Sequence, residues 1–342
     1  MGKSEFYYYF CIAKKIRMDY KSVILAPIQE EREHFLKVFN ASLHSSNPLL
    51  NQVLEHVLQT SGKKMRPMLV LLSAKLFGKV TEEAMHAAVA LELLHNASLV
   101  HDDVVDESDE RRGKPSVNAA FSNKLAVLSG DFMLATGLLE VDKTKNLKIM
   151  EIVFGLGRDL ADGEILQLHN NASEEHSYEV YFDVIRKKTA VLFEACASIG
   201  AISAGASDAE AEMMRQFGEY IGLCFQIKDD IFDYIADSKL LGKPTGNDMR
   251  EGKLTLPVLY ALNKSQDPKA HLIAAKIKDG TATLDEISWL IQFAIGEGGI
   301  LYAEQVMDNY RLKAQELIKE VPTSDVKTSL LAFLDYVINR EK

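Results

Sequence analysis

The sequence predicts an all-α protein with a single domain, and three observations support this. Apolar residues recur at helical spacing along nearly the whole chain, and no convincing alternating strand interrupts them. The eight prolines stand at segment starts or in loops, where a helical protein tolerates them. No linker or low-complexity tract divides the 342 residues, which at 47% hydrophobic and 26% charged provide a large core.

The helices begin and end at local signals. A proline opens each of the first three amphipathic stretches, and the third ends at Gly78. Thr81 is a good N-cap for a long helix that runs to about Asp106. Loops rich in charge and glycine are expected at 107–116 and 238–255. The periodicity predicts further helices at 117–139, 145–170, 175–204, 209–237, 256–264, 268–279, 284–296, 298–320 and 324–340.

Composition argues against several classes of function. The net charge of −10 disfavours non-specific nucleic-acid binding, which needs a basic surface. No segment has the roughly 18 uninterrupted apolar residues of a membrane span. The three cysteines form no CxxC pair, which indicates free thiols in a reducing cytoplasm. Residues 1–17 lack the form of a signal peptide, so we expect an appended or disordered leader before a domain of residues 18–342.

Two acidic clusters carry the strongest chemical signal. They consist of Asp102, Asp103 and Asp106, and of Asp229, Asp230 and Asp233. In each cluster, aspartates at i and i+4 differ by about 40° around a helix and lie about 6 Å apart along it. Two carboxylates on one helix face can bind a hard divalent cation, and magnesium is the natural candidate.

A solvated acidic face is the alternative interpretation of these clusters. Both lie toward the C-terminal end of a long helix, where the macrodipole disfavours each negative charge by about 0.3–1 kcal/mol. Both helices are largely apolar on their other faces, which predicts central positions in the fold. Because a buried carboxylate without a counter-charge costs several kcal/mol, we expect cations at both clusters.

Basic residues follow both acidic clusters along the chain. Arg111 and Arg112 share one short loop with the first cluster, and Lys243 follows the second. Surface solubility is the simpler explanation for any one of these cations. Acid beside base also suits a ligand that is itself anionic and carries metal, such as a diphosphate. Other basic groups on the chain are Lys63, Lys64 and Arg66, and Arg186 to Lys188.

Three more residues share the helix face of the first cluster or lie beside it. His95 precedes Asp102 by seven residues, which places it on the same stripe, although a lone helical histidine is often a core residue. Ala97 and Ser98 are small, and small residues below a polar site leave room for a long apolar tail between helices. Close packing of helices is the alternative explanation for both.

These residues resemble the trans-type polyprenyl diphosphate synthases from about residue 20 onward. Family members usually have glycine where Ser61 stands and arginine where Lys64 stands, which leaves Lys64 without an implied role. The motifs that carry the resemblance are Gly62 to Pro67, Glu92 to His95, Asp102 to Asp106 with Arg111 to Gly113, Lys188-Thr189, and Phe225-Gln226 with Asp229 to Asp233 and the loop Gly242 to Asp248.

The resemblance implies an isoprenoid synthase fold, a helical bundle around a deep central cavity with the two aspartate motifs facing each other at its mouth. It implies a homodimer that condenses isopentenyl diphosphate with an allylic diphosphate, such as farnesyl or geranyl diphosphate. It also implies magnesium, as three ions with bound diphosphate. The implied metal ligands are Asp102, Asp106, Asp229 and Asp233.

Further site residues follow from the same resemblance. Asp103, Asp230 and Lys188 join the metal ligands as catalytic residues. The implied contacts of the allylic substrate are Arg111, Lys188, Thr189, Gln226 and Lys243. The implied pocket for isopentenyl diphosphate consists of Lys63, Arg66, His95 and Arg112.

Product length is predicted from the residues four and five positions before the first aspartate, which form a floor in this family. Here they are Ser98 and Ala97, which implies a long product, heptaprenyl to decaprenyl, for quinone side chains. Residues 150–154 on a neighbouring helix would set the final stop. The alternatives are a catalytic subunit of a heteromeric synthase, a non-catalytic partner subunit, and a metal phosphohydrolase built on His101-Asp102.

Overall fold

The computed structural model describes residues 19–60, 62–171, 177–235 and 245–340. The predictions for the leader 1–17, for Ser61 and for Lys243 lie outside these ranges. Among the described helices, none has both the length and the apolar composition needed to cross a bilayer.

The described chain is almost entirely helical, which confirms the predicted fold class. Between the helices, a 3₁₀ turn lies at Ala26–Ile28 and a π-helical turn at Arg186–Ala190. The short strands β1 (Glu110–Arg111) and β2 (Lys114–Pro115) pair antiparallel. In chain order the helices are α1 (Tyr20–Leu25), α2 (Gln29–Ser42), α3 (Pro48–Thr60), α4 (Met65–Phe77), α5 (Glu82–Val105), α6 (Val117–Ala120), α7 (Asn123–Lys143), α8 (Leu147–Asn171), α9 (Tyr178–Ile185), α10 (Val191–Ser203), α11 (Asp208–Ile235), α12 (Asn247–Arg250), α13 (Leu256–Lys264), α14 (Pro268–Lys278), α15 (Leu284–Gly296), α16 (Gly299–Leu317) and α17 (Asp325–Asn339).

Local signals place several helix ends as the sequence predicts. The hydroxyl of Thr81 accepts a hydrogen bond from the backbone N–H of Ala84 and caps α5. Gly78 ends α4, and its N–H bonds to the carbonyl of Ala74. These contacts satisfy backbone groups that a helix end leaves unpaired.

Four predicted elements differ from the structure, and one of them is the loop predicted at 238–255, which contains the helix α12. The helix predicted at 117–139 is two helices, because Ser122 adopts an extended backbone and its hydroxyl caps α7 at Leu125. The helix predicted at 175–204 is divided by the π-helical turn. The loop 107–116, predicted without strands, contains the pair β1 and β2, whose turn has positive φ at Arg112 and Gly113.

The helix α10 lies at the centre of the bundle and packs against α4, α5, α8 and α11. Its small residues allow this close contact. A Cβ atom on Gly200 would lie 2.3 Å from the carbonyl oxygen of Val70 on α4. A Cβ atom on Gly218 of α11 would lie equally close, at 2.3 Å, to the carbonyl oxygen of Phe193. The two helices with the acidic clusters, α5 and α11, therefore flank one tightly packed core helix.

Candidate active site

The first acidic cluster ends α5. Asp106 is the C-cap, exposed, with its N–H bonded to the carbonyl of Asp102 at 2.8 Å. Burial, followed by repulsion from the carboxylate of Glu164, raises the pKa of Asp102 to about 6. The site therefore disfavours negative charge on Asp102 unless a cation joins it.

Asp103 differs from its two neighbours in the cluster. Its side chain is 2% exposed and accepts hydrogen bonds from Arg111 Nε at 2.8 and 2.9 Å, together with a contact from Nη2. Arg111 belongs to β1, so this pair fixes the hairpin to the end of α5. The sequence prediction assigned Arg111 to the allylic substrate, whereas here its guanidinium is bound to Asp103.

The second cluster lies on the last two turns of α11. Asp229 accepts a hydrogen bond of 2.6 Å from Arg340 Nη2, directly after the C-terminal end of α17. Asp233 accepts the backbone N–H groups of Asn247 and Asp248 at 2.8 and 3.1 Å. Each of these carboxylates thus already lies beside positive charge or N–H donors, at an end of the bundle where α11, α12 and α17 meet.

Asp230 is buried between the other two aspartates. It accepts hydrogen bonds from the Tyr181 hydroxyl at 2.5 Å and from Gln226 Nε2 at 2.9 Å. Burial raises its pKa to about 7. The side chain of Gln226 also accepts a bond of 2.8 Å from the Thr189 hydroxyl, so a chain of polar groups links Asp230 to the π-helical turn.

The π-helical turn places Lys188 between the two clusters. Its ammonium lies 2.5 Å from Glu164 and 3.0 Å from Gln167, both on α8. Its positive charge partly offsets the rise in the pKa of Asp102, which marks the proximity of the two side chains. A cavity of about 170 Å³ opens beside it, and its polar lining includes Gln167, Lys188, Thr189, Gln226, Asp230, Asp248 and Lys253.

The predicted pocket for isopentenyl diphosphate is also brought together. Arg66 Nη1 donates to His95 Nε2 at 2.9 Å, and burial, followed by the charge of Arg66, holds the pKa of His95 well below its usual value. Lys63 donates to the Tyr336 hydroxyl at 2.8 Å. Arg112 donates to the carbonyl of Thr60 at 2.9 Å. Three cations from two separate segments, with a neutral histidine from a third, therefore form one basic pocket.

Phe225 joins the basic pocket to the second acidic cluster. The guanidinium of Arg66 lies 5.6 Å from the centre of its ring, and that of Arg340 lies 3.8 Å from it. Phe225 stands one turn before Asp229 on α11. We call the region of the two acidic clusters the acidic mouth. The acidic mouth and the basic pocket are therefore neighbours on one surface of the bundle.

The residues predicted to limit product length lie in different environments. Ala97 is buried, and the Ser98 hydroxyl bonds back to the carbonyl of His95 at 2.9 Å, so neither presents a bulky group. Within the predicted final stop at 150–154, Met150 is half-buried against the core. Phe154 is 55% exposed and lies on the outer surface of the single chain, which removes it from any stop inside one subunit.

Sequence reasoning missed four residues at this mouth. Glu164 and Gln167 form a polar pair at i, i+3 on α8, a signal that was present and not used. Tyr181 and Arg340 had no local signal, because their partners Asp230 and Asp229 are 49 and 111 residues away.

The metal phosphohydrolase alternative loses support from this geometry. The ring of His101 contacts the carbonyl of Val127 at 3.1 Å and lies 3.5 Å from Asp131, so it faces α7. The phosphohydrolase reading needs it as a metal ligand together with Asp102. Within the ranges that the structure describes, no three acid, histidine or cysteine side chains are arranged to hold a metal ion by themselves.

An all-helical bundle with two acidic helix ends beside a basic pocket defines the isoprenoid synthase class of enzymes. The chain belongs to the polyprenyl synthetase family, whose model matches residues 47–294. This membership confirms the predicted family and the predicted class of enzyme.

Three relatives illustrate the range of products in this family. The chain is 36% identical to an octaprenyl diphosphate synthase of Haemophilus influenzae, over 88% of this chain and 91% of the relative. It is 35% identical to heptaprenyl diphosphate synthase component 2 of Geobacillus stearothermophilus, over 93% and 96%. The crystal structure of a geranylgeranyl pyrophosphate synthase from Bacteroides thetaiotaomicron is 50% identical, with a TM-score of 0.84, over 94% of this chain and all of the other.

Proposed function

We propose that this chain condenses isopentenyl diphosphate with an allylic diphosphate in successive head-to-tail steps. The product is a long all-trans polyprenyl diphosphate, heptaprenyl to decaprenyl, used for quinone side chains. The observation that carries the proposal is the adjacency at Phe225 of two sites of opposite charge, one lined by carboxylates that suit a metal-bound diphosphate and one lined by cations. The octaprenyl and heptaprenyl synthases among the relatives support the long product.

The allylic diphosphate would bind at the acidic mouth together with magnesium. Asp102, Asp106, Asp229 and Asp233 offer the oxygen ligands that magnesium prefers, and the raised pKa values of Asp102 and Asp229 show that burial leaves them short of positive charge. Diphosphate oxygens would complete the coordination, in our proposal around three ions. Bound magnesium supplies stabilisation of the negative charge on the departing diphosphate.

The protein side chains have separate tasks in this reaction. Lys188 at the centre of the mouth would hold diphosphate oxygens, with Thr189 and Gln226 beside it. Asp103 and Asp230 are buried and hydrogen-bonded, so we assign them the role of holding Arg111 and Gln226 in place. No described side chain at the mouth is placed as a dedicated base, and the proton lost from the new prenyl unit would leave with the released diphosphate.

Isopentenyl diphosphate would bind in the basic pocket. Lys63, Arg66 and Arg112 supply positive charge, and the neutral His95 ring supports Arg66. The charges fit a diphosphate without magnesium, because the pocket already has an excess of cations. The double bond of this substrate would then face the allylic carbon at the mouth.

A geranylgeranyl product is a second candidate, and one observation favours it. The geranylgeranyl pyrophosphate synthase structure shares half of its aligned residues with this chain, more than the long-chain relatives share. Ala97 and Ser98 argue for the longer product, because neither side chain is bulky. Product analysis separates the two directly.

We propose a homodimer that forms through the outer face of α7 in the cytoplasm. Large aliphatic side chains are exposed there, which is unusual for a monomer surface. Cys196 and Cys224 are buried free thiols, as expected in a reducing compartment. The component 2 relative supports a heteromeric enzyme as the alternative. The exposed aliphatic residues of α7 are Val127, Leu128, Leu134, Leu138 and Leu139, and Phe154 of α8 is also exposed.

Incubation of the purified chain with farnesyl or geranyl diphosphate, isopentenyl diphosphate and magnesium tests the proposal. We expect diphosphate release, loss of activity with EDTA, and products of 35 to 50 carbons by mass spectrometry, whereas a 20-carbon product would favour the second candidate. Asp102→Asn should abolish turnover, and the exposed Asp142→Asn, which removes only a surface ion pair, should not.

Light scattering reports the oligomeric state. Activity only after addition of a second protein would show the heteromer, and phosphate release from a nucleotide would contradict the proposal.

A further inference from the structure

Lys64 adopts a conformation that lysine rarely takes. It precedes α4 with φ of 52°, in the left-handed region. Its side chain is 17% exposed, and its ammonium lies over the ring of Phe39 at 4.0 Å and 3.8 Å from Glu92. Among the described residues the ammonium has no hydrogen-bond partner. A strained and buried lysine persists only where surrounding contacts hold it in place.

Glu92 is the carboxylate within the basic pocket. It is 3% exposed on α5, one turn before His95. Burial raises its pKa, while Lys64, Arg66 and Arg112, in that order, lower it. Within the described chain its ion pair is with Lys64, and Arg66 lies beyond ion-pair distance. The carboxylate therefore lies in the field of three cations and forms an ion pair with one of them, Lys64.

Arg66 is left with unused hydrogen-bonding capacity. Its guanidinium donates to His95 and stacks on Phe193 at 4.9 Å, and its buried Nε has no partner among the described residues. A guanidinium binds a carboxylate or a phosphate with the same two-pronged geometry. If Glu92 moved onto Arg66, it would occupy the donors that a diphosphate needs.

We propose that Lys64 is a positioning residue that holds the Glu92 carboxylate away from Arg66, so that Arg66 stays available to bind the diphosphate of isopentenyl diphosphate. This inference rests on the proposed function. It assigns a role to the one charged residue of the Gly62 to Pro67 motif for which the family resemblance implied none. Lys64 acts through Glu92 and does not itself contact the substrate.

Three variants test the inference in the holoenzyme with magnesium. Lys64→Met should raise KM for isopentenyl diphosphate about tenfold, the effect of losing one charge-assisted contact, with kcat and the KM for the allylic substrate within about twofold of wild type. Lys64→Arg should behave as wild type, because arginine also reaches Glu92. The double variant Lys64→Met with Glu92→Gln should regain the low KM, because the amide no longer competes for Arg66.

Lys75→Met is the matched control, since Lys75 lies on α4 and its ion pair with Glu31 is remote from the pocket. A double variant that keeps the high KM would overturn the inference, because Lys64 would then bind the substrate directly. A parallel rise in both KM values with a lower melting temperature would also overturn it in favour of a purely structural role. Wild-type protein that does not consume isopentenyl diphosphate would instead refute the proposed function.

Discussion

Arg340 donates a hydrogen bond of 2.6 Å to Asp229 and so joins the end of the last helix to the second acidic cluster. The same nitrogen donates to the carbonyl of Phe225 at 2.9 Å. Because α17 ends at Asn339, this contact fixes the end of α17 beside the mouth and the basic pocket. Arg340 is thus the positive charge nearest to Asp229 in the described chain.

Arg340→Ala should lower kcat/KM by about tenfold to a hundredfold, the range for loss of one partly buried charge-assisted hydrogen bond. The reason is that the half-exposed Asp229 carboxylate would lose its closest cation, and Phe225 would lose the guanidinium on its ring. Steady-state kinetics with both substrates measures the effect. Arg311→Ala, which breaks a surface pair with Asp308, is the control and should change little. Equal activities of the two variants would contradict the prediction.

Magnesium binding should weaken as the pH falls through about 6. The pKa of Asp102 is raised to about 6, chiefly by burial, so below that pH protons compete with the metal for this carboxylate. Titration of magnesium in the presence of inorganic diphosphate from pH 5 to pH 8 measures the loss.

Glu164→Gln should move the acid limb of the magnesium titration, which is the pH range over which binding is lost, to lower pH. The charge of Glu164 raises the pKa of Asp102, so its removal lets Asp102 ionise more readily. Glu151→Gln, on an exposed part of α8, should leave the limb in place. An unchanged or higher limb in Glu164→Gln would show that Glu164 does not act on Asp102.

Ser98→Phe should shorten the product. The new ring would project from α5 one turn before Asp102, into the space that we assign to the growing chain. We expect products of about 15 to 20 carbons by mass spectrometry, at a similar initial rate. Ala97→Phe should act in the same direction, with lower stability because position 97 is 2% exposed. Unchanged chain length in Ser98→Phe would refute the floor assignment.

Gly163→Ala should impair catalysis although it adds a single methyl group. A Cβ atom there would lie 2.8 Å from Cβ of Lys187 in the π-helical turn, which would push the turn and Lys188 out of place. We expect a fall in kcat of at least about tenfold. Gly155→Ala on the same helix meets no atom within 4 Å and should raise stability by about 0.5–1 kcal/mol with activity unchanged. Equal kinetics for the two variants would show that the close approach at Gly163 is unimportant.

Much of the architecture follows from local sequence. Helical periodicity and caps such as Thr81 identified most helices, because a helix is stabilised by contacts between residues three or four apart. The two aspartate clusters and the motif Gly62 to Pro67 identified the family for the same reason, since each is contiguous. The errors arose where a side chain competes locally with the helical hydrogen bonds of the backbone. The Ser122 hydroxyl, for example, accepts a backbone hydrogen bond and so begins a new helix at α7.

The amino-acid sequence by itself determined the helices, the family and the types of charge at the mouth. Only the tertiary structure decided which charges neutralise one another: Arg340 with Asp229, Lys188 with Glu164, and Lys64 with Glu92. These partners lie on different helices, and their distance depends on how the helices pack around α10. Spacing along the chain contains no measure of that packing, so the pairing of buried charges emerges only when the bundle is assembled.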